Sequence, residues 1–403
     1  MRMKFNRSRQ LVLVSAVSLL AASLVTACGT LTVDFVYVTC AKAAGPNNYG
    51  EVDVFEVNSE SGHMRQIPTS PFPSAGRNPV AEAVSIDNTN LYVINQDDNT
   101  IVQFVIGNDG KLYPQNTVNT PGIFPLAVAV TKTDLYVVDT YQPLPSCSTV
   151  APCSGSVAVF PLSSTDAPQS PLANGNLNYW PLNLPGSSDV LRPTAITLAD
   201  SGAYAYVSAY DAKAGAGYIF AFAVNSDGTL APLNGGVPFA AGVQPSAVAS
   251  PSGGGYLYVA DAAQNEIIEF QINSGLLTPL NGSPIATGLA PAAVVVDATG
   301  KYAYVANSLD SNITAYSISN GVLSILGSSP TPVTYATGTQ PVAIGIDPSL
   351  NQYLYTANFL GNTVSGFQLS ATDGSLLISQ GSPFTANAQP TAVAAIPHGS
   401  QKK

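Results

Sequence analysis

Tyr304-Val305-Ala306-Asn307, followed by Ile313-Thr314-Ala315-Tyr316-Ser317-Ile318 and then by Asn320-Gly321, is the stretch that decides the fold. Each of the first two runs alternates as a half-buried strand does, and the Asn-Gly pair marks a tight hairpin turn. The pattern recurs seven times, with Tyr37, Tyr92, Tyr136, Tyr206, Tyr258, Tyr304 and Tyr355 in the first strand of each pair, spaced by 44 to 70 residues. The partner strands carry apolar residues around an aromatic, as in Ile101/Phe104/Ile106, Ile267/Phe270/Ile272 and Val364/Phe367/Leu369. A unit made only of short strands cannot bury both faces alone and must stack on its neighbours, which predicts an all-β, seven-bladed β-propeller.

A proline opens a further apolar run in every unit: Pro79, Pro125, Pro193, Pro245, Pro291, Pro341 and Pro390. Small residues follow, as in Pro341-Val342-Ala343-Ile344, and suit an innermost strand beside a crowded channel. Asp109-Gly110, Asp227-Gly228 and Asp373-Gly374 resemble Asn320-Gly321 and lead into weak outer strands such as Leu276-Leu277-Thr278-Pro279-Leu280, whose proline is tolerable only at an edge. Each blade therefore has four antiparallel strands. The strand of Tyr37 lacks a proline-led strand before it, and Pro390–Ile396 lacks a tyrosine strand after it. One blade is therefore completed by strands from both termini, which removes two exposed edges. The predicted organisation is residues 1–27 as a signal peptide, 28–32 as a short lipidated N-terminus, 33–397 as a single propeller and 398–403 as a tail.

Arg2, Lys4, Arg7 and Arg9 precede an apolar run from Leu11 to Leu24, the layout of an export signal. Leu24-Val25-Thr26-Ala27-Cys28 resembles a bacterial lipobox, which implies lipidation of Cys28 and a place at the cell envelope, periplasmic or at the cell surface. Removing residues 1–27 leaves 10 basic against 24 acidic residues, a formal charge of −14 that argues against nucleic acid as a partner. Cys147 and Cys153 stand six apart in a turn-rich loop that an oxidising compartment would close as a disulfide. Cys40 is left over as a small buried thiol. Trp180, the only tryptophan, lies in a long insertion of the third blade, where it either covers an apolar patch or reaches toward a ligand.

Tyr304-Val305-Ala306-Asn307, Tyr92-Val93-Ile94-Asn95 and Tyr355-Thr356-Ala357-Asn358 resemble the YVTN repeat, and residues from about 33 to 397 are similar to the seven-bladed propellers of the lactonase family. That resemblance implies a relation to 6-phosphogluconolactonases and to muconate cycloisomerases of the same fold. It also implies a cluster of His, Glu and Arg at one mouth of the channel. Here the openings of the inner strands read Asn78-Pro79, Arg192-Pro193, Gln244-Pro245, Gln340-Pro341 and Gln389-Pro390, with no histidine. His63 and His398, the two histidines present, read as solvated loop residues.

No G-x-S-x-G elbow, metal-spaced His/Cys cluster or P-loop is present, so carboxylates, arginines and tyrosines would have to carry any chemistry. No cofactor or metal is expected, and the protein is expected to act as a monomer. The loops before each inner proline and those between second and third strands should share one face around the channel mouth. They gather Arg77, Asp97, Asp98, Tyr141, Arg192, Tyr210, Asp211, Lys213 and Asp310, with Glu82 on the inner strand. Asp97, Tyr141, Tyr210, Lys213 and Asp310 are candidate ligand contacts. Glu82 is unusual in an otherwise apolar strand and reads as a base, a partner of Arg77 or Arg192, or a solvated acid. The Asn or Asp ending the tyrosine motif (Asn95, Asp139, Asp261, Asn307, Asn358) reads as a cap for the turn that follows. Two functions of different class follow: a binding or scaffold module at the cell envelope, engaging an unknown ligand or protein at the mouth, or a lactone hydrolase with Glu82 as base and Arg77 or Arg192 as its electrostatic partner.

Overall fold

The computed structural model describes residues 31–41, 48–143, 147, 153–327, 333–347 and 352–399. Seven antiparallel sheets form a ring. Blade 1 combines the C-terminal Pro390–Pro397 as inner strand with Thr32–Cys40, Glu51–Asn58 and Met64–Gln66, so both ends of the chain close the ring. The inner strands of blades 2 to 7 are Pro79–Val84, Ile123–Val130, Arg192–Ala199, Pro245–Ala249, Pro291–Val296 and Pro341–Ile346. The fourth position is a continuous strand, Leu112–Asn119, in blade 2. In blades 1, 4, 5, 6 and 7 two short pieces share it, as Leu276–Pro279 and Ile285–Ala286 do in blade 5.

The prolines sit where the ladder tolerates them. Each pairs with the last residue of the tyrosine motif, for example Pro79 with Asn95 and Pro291 with Asn307, and a bulge follows at once. A residue with no N–H costs nothing at that edge, and the bulge turns the strand into the channel. Three bulged residues carry hydroxyls that tie one blade to the next: Thr194 donates to the Pro245 carbonyl at 2.8 Å, Ser246 to Pro291 at 2.6 Å and Thr391 to Pro79 at 2.9 Å.

The core is divided into seven apolar clusters, one at each interface between blades. The repeated tyrosines lie inside them, fully buried, and in five of the seven a hydroxyl bonded to the next blade explains why the repeat uses Tyr and not Phe. Tyr37, Tyr206, Tyr258 and Tyr304 donate to the carbonyls of Gly110, Gly275, Gly321 and Gly374, each in a hairpin turn of the next blade, at 2.8 to 3.1 Å. Tyr92 does the same to Asp166 at 2.7 Å. Removing the hydroxyl leaves a buried carbonyl unpaired, so Tyr258→Phe should lower unfolding stability by about 1–2 kcal/mol without altering the fold, as read by denaturant titration.

Trp180 is buried against Val157 and donates its indole N–H to the Leu230 carbonyl at 2.7 Å, which makes it a packing residue between blades 3 and 4. Cys147 and Cys153 are joined as a disulfide with Cα atoms 5.3 Å apart. Cys40 is buried and free. Cys28 lies outside the described residues. Both histidines are exposed at the ends of hairpins or strands, as expected, and each also makes a contact. His63 shares a 2.9 Å hydrogen bond with the Gln380 carbonyl of blade 7 and packs edge-on against Phe384, while the His398 ring lies on Phe35.

Candidate functional site

The loops that precede the inner prolines and those that join second to third strands do meet on one face, and a repeated contact fixes them there. The residues before Pro125, Pro291 and Pro390 have positive φ, and their N–H groups bond to Asn99, Asn265 and Asn362 of the preceding blade at 2.7 to 2.8 Å. Around this ring the pre-proline residues are Asn78, Phe124, Arg192, Gln244, Ala290, Gln340 and Gln389. Two adjacent blades thus depart from small or amide side chains, with Phe124 and Arg192.

Those two meet over Tyr141. The Arg192 guanidinium carbon lies 4.6 Å from the Tyr141 ring centre, and Phe124 stands edge-on to the same ring at 6.2 Å. Phe124 holds φ of +57°, a strained setting for an aromatic, because Asn99 accepts its N–H and Thr140 donates to its carbonyl at 2.7 Å each. Tyr210 faces Arg192 across the blade 4 ladder. The ion pairs among the described residues are Arg65–Glu56, Arg77–Asp98 and Lys111–Asp109, so Arg192 keeps its N–H fork free of carboxylates.

Glu82 occupies a different kind of position. Counting from the inner proline, its six counterparts are Val128, Ile196, Val248, Val294, Ile344 and Val393, each packed into the interface with the preceding blade. Glu82 turns the same way, toward blade 1, where the Thr39 hydroxyl donates to Oε2 at 2.5 Å. Its Oε1 is covered and has no hydrogen-bond partner, although the residue as a whole is half-buried. Burial pushes the Glu82 carboxyl up to about 8, against the smaller opposing pull of Thr39 and the Ala394 amide.

Asp139 is a second buried acid at this face, pushed up to about 7 by burial despite help from Thr120 and a 3.2 Å bond from the Gly122 N–H. Its counterpart Asp261 accepts four backbone N–H groups, from Val243, Gln244, Ala263 and Gln264. Only Asp261 caps the following turn as expected for the whole set. Asn307 and Asn358 instead bond third-strand hydroxyls, those of Thr314 and Ser365.

Several sequence candidates prove to be committed elsewhere. Arg77 is held by Asp98, which accepts both its Nε and its backbone N–H at 2.7 Å. Burial would raise the Asp98 carboxyl, but the side-chain and backbone hydrogen bonds of Arg77 and its charge together draw it below the usual carboxylate range. Asp97 accepts from Asn78 at 3.0 Å, Asp310 from the Leu289 N–H at 2.7 Å, and Asp211 from the N–H groups of Lys213 and Ala214. These acids hold loops. The Lys213 side chain is exposed on its loop and joins none of the ion pairs. The structure therefore brings Tyr141, Tyr210 and Arg192 together, adds Phe124, and leaves Glu82 apart in blade 2. Among the described residues no group of three or more His, Cys, Asp or Glu could hold a metal ion.

The chain matches the family described as lactonase, 7-bladed beta-propeller, over residues 47–170 and 186–390, more than half of its length. It belongs to that lactonase family. Solved structures with the same fold include a candidate 6-phosphogluconolactonase from Bacteroides fragilis, with a TM-score of 0.72 at 18% identity, covering 91% of this chain and 99% of that one. A second, from Bacteroides uniformis, gives 0.69 at 19% identity over 91% and 100%. The periplasmic gluconolactonase of Pseudomonas aeruginosa gives 0.68 at 15% identity over 90% and 99%. At such identities the likeness is one of fold. No curated protein matches the chain by sequence. The mouth of this propeller carries a lone acid at a position where the other six blades place Val or Ile, and an arginine backed by two aromatics.

Proposed function

We propose that the protein hydrolyses a lactone at the channel mouth, with Glu82 as general base. The observation that carries this reading is Glu82 itself, a covered carboxyl with one unpaired oxygen at a position where six blades place Val or Ile. Keeping an acid there is costly to the fold, and such groups concentrate at functional sites. In the reaction, ionised Glu82 takes a proton from water as the water oxygen bonds to the lactone carbonyl carbon. The tetrahedral oxyanion then collapses, the ring C–O bond breaks, and the proton passes to the departing alkoxide, giving a hydroxy acid.

Arg192 is a cation at the mouth that joins none of the ion pairs among the described residues, and it supplies the positive group that holds charge on the substrate or product. Arg77 does not fit that role, since Asp98 neutralises it. Glu82 and Arg192 belong to blades 2 and 4, so a substrate touching both lies across the mouth of blade 3, over Phe124 and Tyr141. The family match favours this reading over a binding module without turnover.

The assay is turnover of sugar lactones by the purified protein, comparing wild type with Glu82→Gln, Thr39→Val and Arg192→Ala. Expected are loss of about 10²–10⁴-fold in kcat for Glu82→Gln, a smaller kcat loss for Thr39→Val and a rise mainly in KM for Arg192→Ala. No wild-type turnover above the spontaneous rate on any lactone tried would favour the binding or scaffold reading.

Export and lipidation of Cys28 complete the proposal. They are supported by the basic and apolar leader and by the lipobox-like residues before Cys28. Thr32–Cys40 runs from the face opposite the mouth toward it, as its pairing of Asp34 with Pro397 and Cys40 with Pro390 requires. An anchor at Cys28 would thus leave the mouth pointing away from the membrane. Mass spectrometry of the mature N-terminus checks the anchor.

A further inference from the structure

Five of the seven interfaces between blades share one device, a tyrosine hydroxyl donated to a turn carbonyl of the next blade; at the blade 3–4 interface the Tyr136 hydroxyl has no hydrogen-bond partner, and at the interface that closes the ring the partner is a carboxyl. There Tyr355 of blade 7 meets no carbonyl. Its hydroxyl lies 3.3 Å from Oδ2 of Asp34, on the strand Thr32–Cys40 of blade 1. Asp34 has no exposed surface, and its Oδ1 has no hydrogen-bond partner. The turn carbonyl used elsewhere is always neutral, whereas a carboxyl can be neutral or charged.

We propose that Asp34 beside Tyr355 is a titratable clasp of the ring: the closing interface is tight when Asp34 is protonated and is loosened when it ionises, because the uncompensated buried charge outweighs the hydrogen bond by which Tyr355 favours the ionised form. The groups that face Asp34 give the sign. From blade 7 come the Tyr355 hydroxyl, the buried Asp347 and Tyr353, whose ring stacks on Tyr355 at 6.5 Å and whose hydroxyl donates to the Ser59 carbonyl at 3.0 Å. From blade 1, Asp34 is flanked in register by Val57 and Pro397, neither of which titrates. His398, next along the chain, packs its ring on Phe35, whose side chain belongs to the opposite interface. Glu56, opposite Phe35, is paired with Arg65. None of the ion pairs among the described residues gives Asp34 a cation, and Asp347 adds like charge.

Burial, then Asp347, push Asp34 up to about 8, and the Tyr355 bond opposes them only in part. A folded-state value raised above the unfolded one means stability that is fully present below about 4 and is lost as pH rises through about 8. The interface affected is the one that joins the two ends of the chain, Thr32–Cys40 and Pro390–Pro397 against Tyr353–Asn358. Mild alkalinity therefore loosens the ring at its ends first.

The test is amide hydrogen exchange on the full chain from pH 5 to pH 9, read as protection factors for those three strands and for the blade 5–6 interface as a control. In wild type, protection at the closing interface should fall by up to about tenfold per pH unit as the pH approaches 8 while the control changes less. Asp34→Asn should flatten the dependence. Tyr355→Phe, which keeps the ring and removes only the hydroxyl, should move the midpoint to higher pH and keeps the proposal testable if Asp34→Asn fails to fold. An unchanged dependence in Asp34→Asn, an unshifted midpoint in Tyr355→Phe, or one abolished by Glu82→Gln instead, would overturn the clasp.

Discussion

Glu82→Val is expected to raise the stability of the propeller and to remove lactone turnover together. Valine is what the equivalent inner-strand position carries in blades 3, 5, 6 and 1, so the side chain fits the interface that Glu82 now interrupts. The gain should be about 1–3 kcal/mol, the cost of a buried polar group with an unmatched oxygen, reduced somewhat by the Thr39 hydroxyl left behind. It should also depend on pH. Glu82 has a folded value raised from 4.5 to about 8, so its contribution is intact below about 4.5 and is lost as pH rises through about 8. The variant should therefore outlast wild type by most near pH 8 to 9, read by denaturant titration at several pH values. A variant less stable than wild type at pH 8 would mean that Glu82 serves the fold, and the reading of a strained functional acid would fall.

Gly321→Val should be among the most damaging substitutions in the hairpin turns. Gly321 has φ of +81°, which a β-branched residue adopts only under strain, and its missing side chain is where the ring of Tyr256 lies. A Cβ there would fall well inside contact distance of that ring and would also displace the carbonyl that takes the Tyr258 hydroxyl. A loss of at least about 3 kcal/mol is expected, from strain, displaced packing and the broken hydrogen bond combined. Thermal unfolding measures it, and a loss under about 1 kcal/mol would contradict the packing of Tyr256 and Tyr258 on this turn. The same arrangement recurs where Phe35, Tyr204 and Tyr302 lie on Gly110, Gly275 and Gly374.

Those glycines show how much of the fold was legible and why the rest was not. The Asp-Gly and Asn-Gly pairs mark hairpin turns by local chemistry alone, and strand alternation with the seven prolines locates the blades, because these signals act over a few residues. That the turn glycine also makes room for an aromatic of the preceding blade depends on contacts more than sixty residues away in sequence. The candidate site divides in the same manner. Glu82 stands out in its own strand, yet its partner Thr39 lies in another blade, and aligning the inner strands on their prolines is the signal that separates it from a solvated acid. Arg77 and Arg192 look alike in sequence. Only the structure shows Asp98 holding the first and Tyr141 beneath the second. Phe124 escaped notice because a non-glycine residue at positive φ leaves no mark in the sequence, and Asp139 because it shares a motif position with well-satisfied counterparts.

The pH dependence of lactone turnover tests the central claim most directly. If ionised Glu82 activates water, kcat/KM for a lactone turned over by wild type should rise with pH through an apparent value near 8 and level off above it, since the base is the deprotonated form. Glu82→Gln should lose that rise along with most of the rate. A wild-type profile flat between pH 6 and pH 9, or the same rise retained in Glu82→Gln, would contradict the assignment of Glu82 as the catalytic base.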